Sequence, residues 1–215
     1  MKTKLISFIL LIGLVLTGCG FWGVRGNGRM RDESRKVAEF NKIEAGGAFS
    51  IYVKVGQAPS LRISAEENLL GYIRTTVKGN TLIIETKKNI SPRKEIRIEI
   101  TTPSLTDLEV SGANNVEVED ISGEEFNVEL SGAGNVDLKG EVEKLRIELS
   151  GAGNIDSRYL KASEVQISVS GAANANVYAT KYLDASVSGV GSIDYYGNPE
   201  KIKTNVSGVG SITRK

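Results

Sequence analysis

Along residues 108–215 apolar and polar positions alternate with period two, and a hexapeptide interrupts the alternation at nearly fixed intervals. Before the breaks stand "LEV" (Leu108–Val110), "VEL" (Val128–Leu130), "IEL" (Ile147–Leu149) and "ISV" (Ile167–Val169), and after them "VEV" (Val116–Val118) and "VDL" (Val136–Leu138). Period two on both sides of a glycine-containing break predicts strand, turn, strand, and leaves no run long enough for an ordinary helix. The breaks are copies of one motif: "SGANNV" at Ser111, "SGAGNV" at Ser131, "SGAGNI" at Ser150, "SGAANA" at Ser170, and "SGVGSI" at Ser188 and Ser207. Their starts lie 20, 19, 20, 18 and 19 residues apart. Self-similarity at about 20 residues marks a solenoid, so each copy is predicted to be the corner of one coil.

A lone coil cannot stand by itself. Ordering its backbone costs about 1–2 kcal/mol per residue, more than four or five small apolar side chains return at about 1.5–3 kcal/mol each. Stacking coils about 4.8 Å apart lets each bond to its neighbours and close a shared apolar interior. The predicted fold class is all-β: a β-helix or β-solenoid with coils of about 19–20 residues, right-handed by the crossover rule.

Within the motif the alternation points Val110, Leu130, Leu149, Val169, Val187 and Val206 inward and the following Ser outward. The glycine after that Ser is expected to take a positive φ or to sit where stacked backbones approach closely. The next residue, Ala113, Ala133, Ala152, Ala172, Val190 or Val209, is assigned to a tight corner of the core. Asn115, Asn135, Asn154 and Asn174, then Ser192 and Ser211, align as a ladder bonding from coil to coil. Two places on, Glu117, Asp137, Asp156, Asn176, Asp194 and Thr213 form an outward column.

Upstream, "FSIYVKV" (Phe49–Val55), "LRISA" (Leu61–Ala65), "TLIIET" (Thr81–Thr86) and "EIRIEI" (Glu95–Ile100) read as strands, Gly79-Asn80 as a hairpin turn, and "EENLLGYI" (Glu66–Ile73) as one helical turn. Pro103 ends the last of these strands. Residues 37–107 are thus an N-terminal β part that continues or caps the six coils of 108–215, and together they form one domain, 37–215.

The chain opens "MKTKLISFILLIGLVLTG", with Lys2 and Lys4 ahead of an apolar run that is shorter than a membrane span. Residues 1–18 are therefore a signal peptide, and "LTGC" (Leu16–Cys19) resembles the lipobox of bacterial lipoproteins, which makes Cys19, the chain's single cysteine, the lipid attachment site. Residues 19–36, glycine-rich, charged and without apolar period, are assigned to the lipidated cysteine and a flexible tether. Loss of Lys2 and Lys4 leaves 25 basic against 26 acidic residues, which gives no basic excess for nucleic acid.

His is absent, so the commonest general base and metal ligand is missing. "GAGNVD" differs from the calcium-binding nonapeptide in period and in the place of its Asp. No helix follows to make a dinucleotide loop, and no Gly-Lys occurs for a phosphate loop. No catalytic, cofactor-binding or metal-ligating residue is assigned. The candidate binding face comprises Asp137, Asp156, Asp194, Tyr195 and Tyr196, where carboxylates and aromatic rings suit sugar hydroxyls and ring faces. Tyr159, Tyr178 and Tyr182 lie near the same end.

The "SGAGN" and "SGVGSI" repeats, "YYGNP" (Tyr195–Pro199) and the earlier "FNKIEAGGAFSIYV" (Phe40–Val53) and "LRISAEENLL" (Leu61–Leu70) are similar to the putative auto-transporter adhesin head GIN domain family of bacterial envelope proteins. The resemblance spans roughly residues 37–215 and implies a β-helix-like fold with no catalytic residues to carry over. The expected function is a non-catalytic, cell-envelope lipoprotein presenting a solenoid surface to a glycan or an envelope protein. Cys19 would hold it in the outer membrane, because Gly20 is unlike the Asp that retains lipoproteins at the inner membrane. A monomer or weak dimer is expected, with Arg214 and Lys215 guarding the open last edge. The alternative is a polysaccharide-acting β-helix enzyme; against it, Arg146 and Arg158 do not recur in a column facing the acids.

Overall fold

The computed structural model describes residues 23–215, so the signal segment and Cys19 lie outside the described residues. The first part runs β1 (Val24–Arg25), β2 (Met30–Arg35), β3 (Lys42–Gly47), β4 (Ser50–Val55), β5 (Ser60–Glu66), a 3-10 turn (Leu70–Tyr72), β6 (Ile73–Lys78), β7 (Thr81–Thr86), β8 (Ile90–Ser91) and β9 (Arg97–Thr102). The repeat region follows as β10 (Asp107–Gly112), β11 (Asn115–Leu130), β12 (Asn135–Leu149), β13 (Asn154–Val169), β14 (Asn174–Val187), β15 (Ser192–Tyr196), β16 (Lys201–Val206) and β17 (Ser211–Arg214).

From β10 on, every strand pairs in parallel with its counterpart in the next coil. The six corners enclose a β-solenoid of about five turns. Equivalent residues face one another, as Val116 faces Val136 and Leu130 faces Leu149. Strand alternation then sends Val116, Val118, Phe126, Val128 and Leu130 into the interior of one coil, all at most 2% exposed. Gly197, at φ +89°, and Pro199, which has no N–H, break the last turn into β15 and β16, which both lie on β14.

Close approach, rather than a positive φ, fixes most of the corner glycines. A Cβ on Gly132, Gly151, Gly171 or Gly189 would stand closer than 3.0 Å to the carbonyl oxygen of the glycine one coil below. Gly112 and Gly208 add positive φ values of +80° and +142°. The residues expected in a tight core corner sit outside instead: Ala113, Ala133, Ala152 and Ala172 are exposed, and Val190 and Val209 are 64% and 79% exposed. The inward place belongs to the next residue, Gly153, Ala173 or Asn114 among them. Val206 also differs from the reading. It is 45% exposed because no coil covers it.

A seventh corner lies in the first part. β3 and β4 stack in parallel on β10 and β11, with Gly46 facing Ser111, Gly47 facing Gly112 and Ser50 facing Asn115. "GGAFSI" (Gly46–Ile51) is therefore a degenerate hexapeptide, and residues 42–55 form a coil of their own. Asn114 locks the two corners together: its Oδ1 accepts from Phe49 N at 2.8 Å and its Nδ2 donates to Ser111 O at 2.5 Å.

Below that coil the chain leaves the solenoid. β7 takes the place under β3 and β9 the place under β4, but antiparallel β6 and β5 then flank them. Leu69, Leu70 and Ile73, at the 3-10 turn, are buried in this cap. Residues 37–107 thus both continue the solenoid and cap it. The described part of the expected tether is folded rather than flexible: β1 pairs with β8, and β2 runs antiparallel to β5 along six residues. Buried Glu66 ties this strap down, accepting backbone N–H from Gly28 at 2.5 Å and Arg93 at 2.8 Å.

Candidate functional site

The Asn at each corner starts a strand, so its side chain and those two and four places on share one outer face. The amides form the expected ladder. Asn135 Nδ2 donates to Asn115 Oδ1 at 3.0 Å, Asn154 to Asn135 at 3.0 Å and Asn174 to Asn154 at 3.3 Å, and Ser192 Oγ donates to Asn174 Oδ1 at 2.8 Å. Beside it Glu117, Asp137, Asp156, Asn176, Asp194 and Thr213 stand in register in successive coils.

Cations brace that column. Lys139 Nζ lies 2.6 Å from Glu117 and 3.0 Å from Glu119, Arg158 Nε is 2.9 Å from Asp156, and Lys215 Nζ is 3.3 Å from Asp194. Arg158, which sequence alone set apart from the acids, thus bears directly on them. Hydrogen bonds from Arg158 hold the Asp156 carboxyl below its ordinary range. Asp137 has no ion pair among the described residues; partial burial, then Asp156 and Glu117, push its carboxyl up.

The aromatic members divide. Tyr196 joins the face, and Arg158 lies between two rings, 5.8 Å from the centroid of Tyr159 and 5.9 Å from that of Tyr196. Tyr195 does not join it: alternation turns this residue the other way and it packs against the core. Tyr178 faces Tyr196 across the coils, whereas Tyr182 bonds Asp184 beyond the bend.

Two features escaped the sequence reading. On the strand before the corner, Glu44, Glu109, Glu129 and Glu148 stack in consecutive coils. Burial, then Glu44 and Glu129, raise the Glu109 carboxyl. The signal was in the text, as the Glu one place before the inward residue in "LEV", "VEL" and "IEL". The second feature is a cleft of about 790 Å³ on the outer face of β5, β9 and β4, bordered by the end of the strap. Its floor carries Tyr52, with the Arg97 guanidinium 3.9 Å above the ring centroid and Arg97 Nε 2.9 Å from Glu99.

Comparison with known proteins gives a consistent picture. The family model described as putative auto-transporter adhesin, head GIN domain, matches residues 39–199. A putative adhesin from Bacteroides fragilis of known crystal structure is 30% identical, with 90% of this chain and 100% of that chain covered at a TM-score of 0.76. A putative adhesin from Parabacteroides merdae, 21% identical over 90% of this chain and 99% of that one, has a TM-score of 0.53. A putative lipid binding protein from Parabacteroides distasonis, 24% identical over 89% and 99%, has a TM-score of 0.51. The last two share the fold. No curated protein matches.

Proposed function

We propose, from the premise that the chain belongs to the putative auto-transporter adhesin head GIN domain family, that it is a non-catalytic adhesin-like module of the bacterial cell envelope. The observation that carries this reading is the constant outer face. Coil after coil presents the same hydrogen-bonding side chains on a backbone whose interior is filled, a design for recognising an extended partner rather than for enclosing a reacting atom. Solenoid stacking makes the face rigid, so binding immobilises little of the protein.

Lipid attachment at Cys19 and the outer membrane complete the proposal. They rest on the sequence of the signal segment and lipobox. A diacylated or triacylated cysteine holds a protein at a bilayer where a single chain would not, and the folded strap then sets the solenoid close to the membrane. Residues 20–22 are the only stretch between Cys19 and the described domain.

The test compares cells carrying the full chain, a Cys19→Ala variant, and cells lacking it, for retention on surfaces coated with envelope or host polymers. Full-chain cells should be retained, the null cells lost, and the variant released from the membrane fraction with loss of labelled palmitate. Equal retention of all three would contradict the adhesin-like role. Palmitate on the variant would contradict the anchor.

A further inference from the structure

We propose that the cleft beside the N-terminal strap is a binding site for an acidic oligosaccharide. The proposal rests on the adhesin-like reading and names the site and ligand class for it.

The cleft exists because the chain reverses. β2 pairs antiparallel with β5 and β5 with β9, while β9 and β4 run parallel into β11. Register places Ser34, Arg62, Glu99, Tyr52 and Glu117 in one row across these strands, continuous with Asp137 and Asp156 on the solenoid. One outer face thus changes character along its length. Over the solenoid its row is carboxylate; beside the strap it becomes a hollow where four cations meet three carboxylates.

Charge selects the ligand. Lys36, Lys54, Arg62 and Arg97 line the hollow against Glu99, Glu117 and Glu119, whereas the Arg35 guanidinium turns away to the carbonyls of Leu70 and Ile73. Lys139, from the neighbouring coil, bridges the second and third of those acids with its single charge. Lys36 alone of these four cations has no carboxylate partner among the described residues; the others meet Asp120, Asp32 and Glu99. An anion is drawn here and repelled by the acidic row beyond.

Shape and side-chain type point to a sugar acid. The volume lies in the range of ligand pockets. Tyr52 and the Arg97 guanidinium make a flat stack beside which a pyranose ring can lie. The Arg97–Glu99 and Arg62–Asp32 pairs present planar donors and acceptors together, the combination that ring hydroxyls need. Ser60 and Thr101, whose hydroxyl oxygens are 2.8 Å apart, add small hydroxyl groups at the rim. The ring carboxylate is met by Lys36 and the guanidinium of Arg62.

The test is titration of the purified full chain with a galacturonate tetrasaccharide, a sulfated chondroitin tetrasaccharide, neutral maltotetraose and a hexaglutamate peptide. Saturable binding of at least one acidic tetrasaccharide is expected, with maltotetraose and hexaglutamate at least about tenfold weaker. Tyr52→Ala and Lys36→Glu should each weaken binding about tenfold; Lys36 is exposed and unpaired, so its variant keeps the fold and the test stays decisive. Glu200→Gln, exposed in the far last turn, should leave affinity unchanged. No binding of either acidic sugar, equal binding of hexaglutamate, or indifference to both cleft variants would overturn the proposal. Binding abolished by Asp156→Asn and untouched by Lys36→Glu would overturn the cleft while leaving an adhesin-like solenoid face in place.

Discussion

Gly151 shows what the repeat demands of a single residue. Its neighbour one coil below is another glycine, and a Cβ would press on that backbone oxygen, which cannot swing aside as a side chain could. Gly151→Ala is expected to destabilise the fold by about 2–4 kcal/mol. At Gly71, in the 3-10 turn, no atom lies within 4 Å of the position a Cβ would take. Gly71→Ala should be neutral or stabilising by up to about 1 kcal/mol. Urea melts of the two variants decide this; equal losses would mean that backbone crowding is not what selects the corner glycines. Asp137 makes the matching point for charge. Its carboxyl is raised by burial, Asp156 and Glu117, so the folded state holds the proton more tightly than the unfolded chain does. The penalty of ionisation is full at neutral pH, shrinks as pH falls through the folded pKa, and is gone below the unfolded value of about 3.9. Asp137→Asn should therefore raise Tm by about 1–2 °C at pH 7 and by nothing at pH 3; Asn176 already fills this column one way. A lower Tm at pH 7 would mean that the carboxylate is engaged by a cation.

At the scale of elements, the strap is held by one buried acid. Burial alone would raise the Glu66 carboxyl, but N–H donors from Arg93, Gly28 and Lys94 outweigh it and hold it low. Its contribution to stability is present above the unfolded pKa of about 4.3 and lost as pH falls through the lower folded value. Glu66→Gln puts an NH₂ where a donor already points, and trypsin should then cut at Arg29 and Arg31 well before the solenoid yields. Unchanged cleavage would mean that β2 is held by its ladder to β5 alone. The strap was also the element least legible in the sequence. A strand announces itself through alternation only when one face is buried, and Met30, Arg31, Asp32 and Ser34 are all exposed. The cleft it borders was hidden for the same reason. The coils were legible because the inward residues, Asn114 and Ser157 apart, are apolar and every corner carries glycine. The amide ladder and acidic column followed, since a parallel stack in register puts equal positions side by side. Tyr195 was legible too, had the register been followed: it stands opposite inward Val177, so alternation turns it to the core, while its neighbour Tyr196 faces Arg158. The seventh corner was missed because "GGAFSI" lies 65 residues before Ser111, outside the period.

For the whole molecule, the account holds that coils owe their stability to their neighbours. The N-terminal end is plugged by Leu69, Leu70 and Ile73, whereas the other end exposes the whole of β16 and leaves Ile202 48% accessible. Stability should therefore fall off along the stack rather than be uniform. Such a molecule can present its strap and cleft on the rigid end, which follows Cys19, and tolerate a softer far end. Hydrogen exchange on the full chain tests this most directly. Amides of β12 and β13 should exchange slowest and together, and those of β16 and β17 first among the coils. Protection of β16 and β17 equal to that of β12 and β13 would contradict the account, because it would mean that the last coil does not depend on a second neighbour or that a partner covers it.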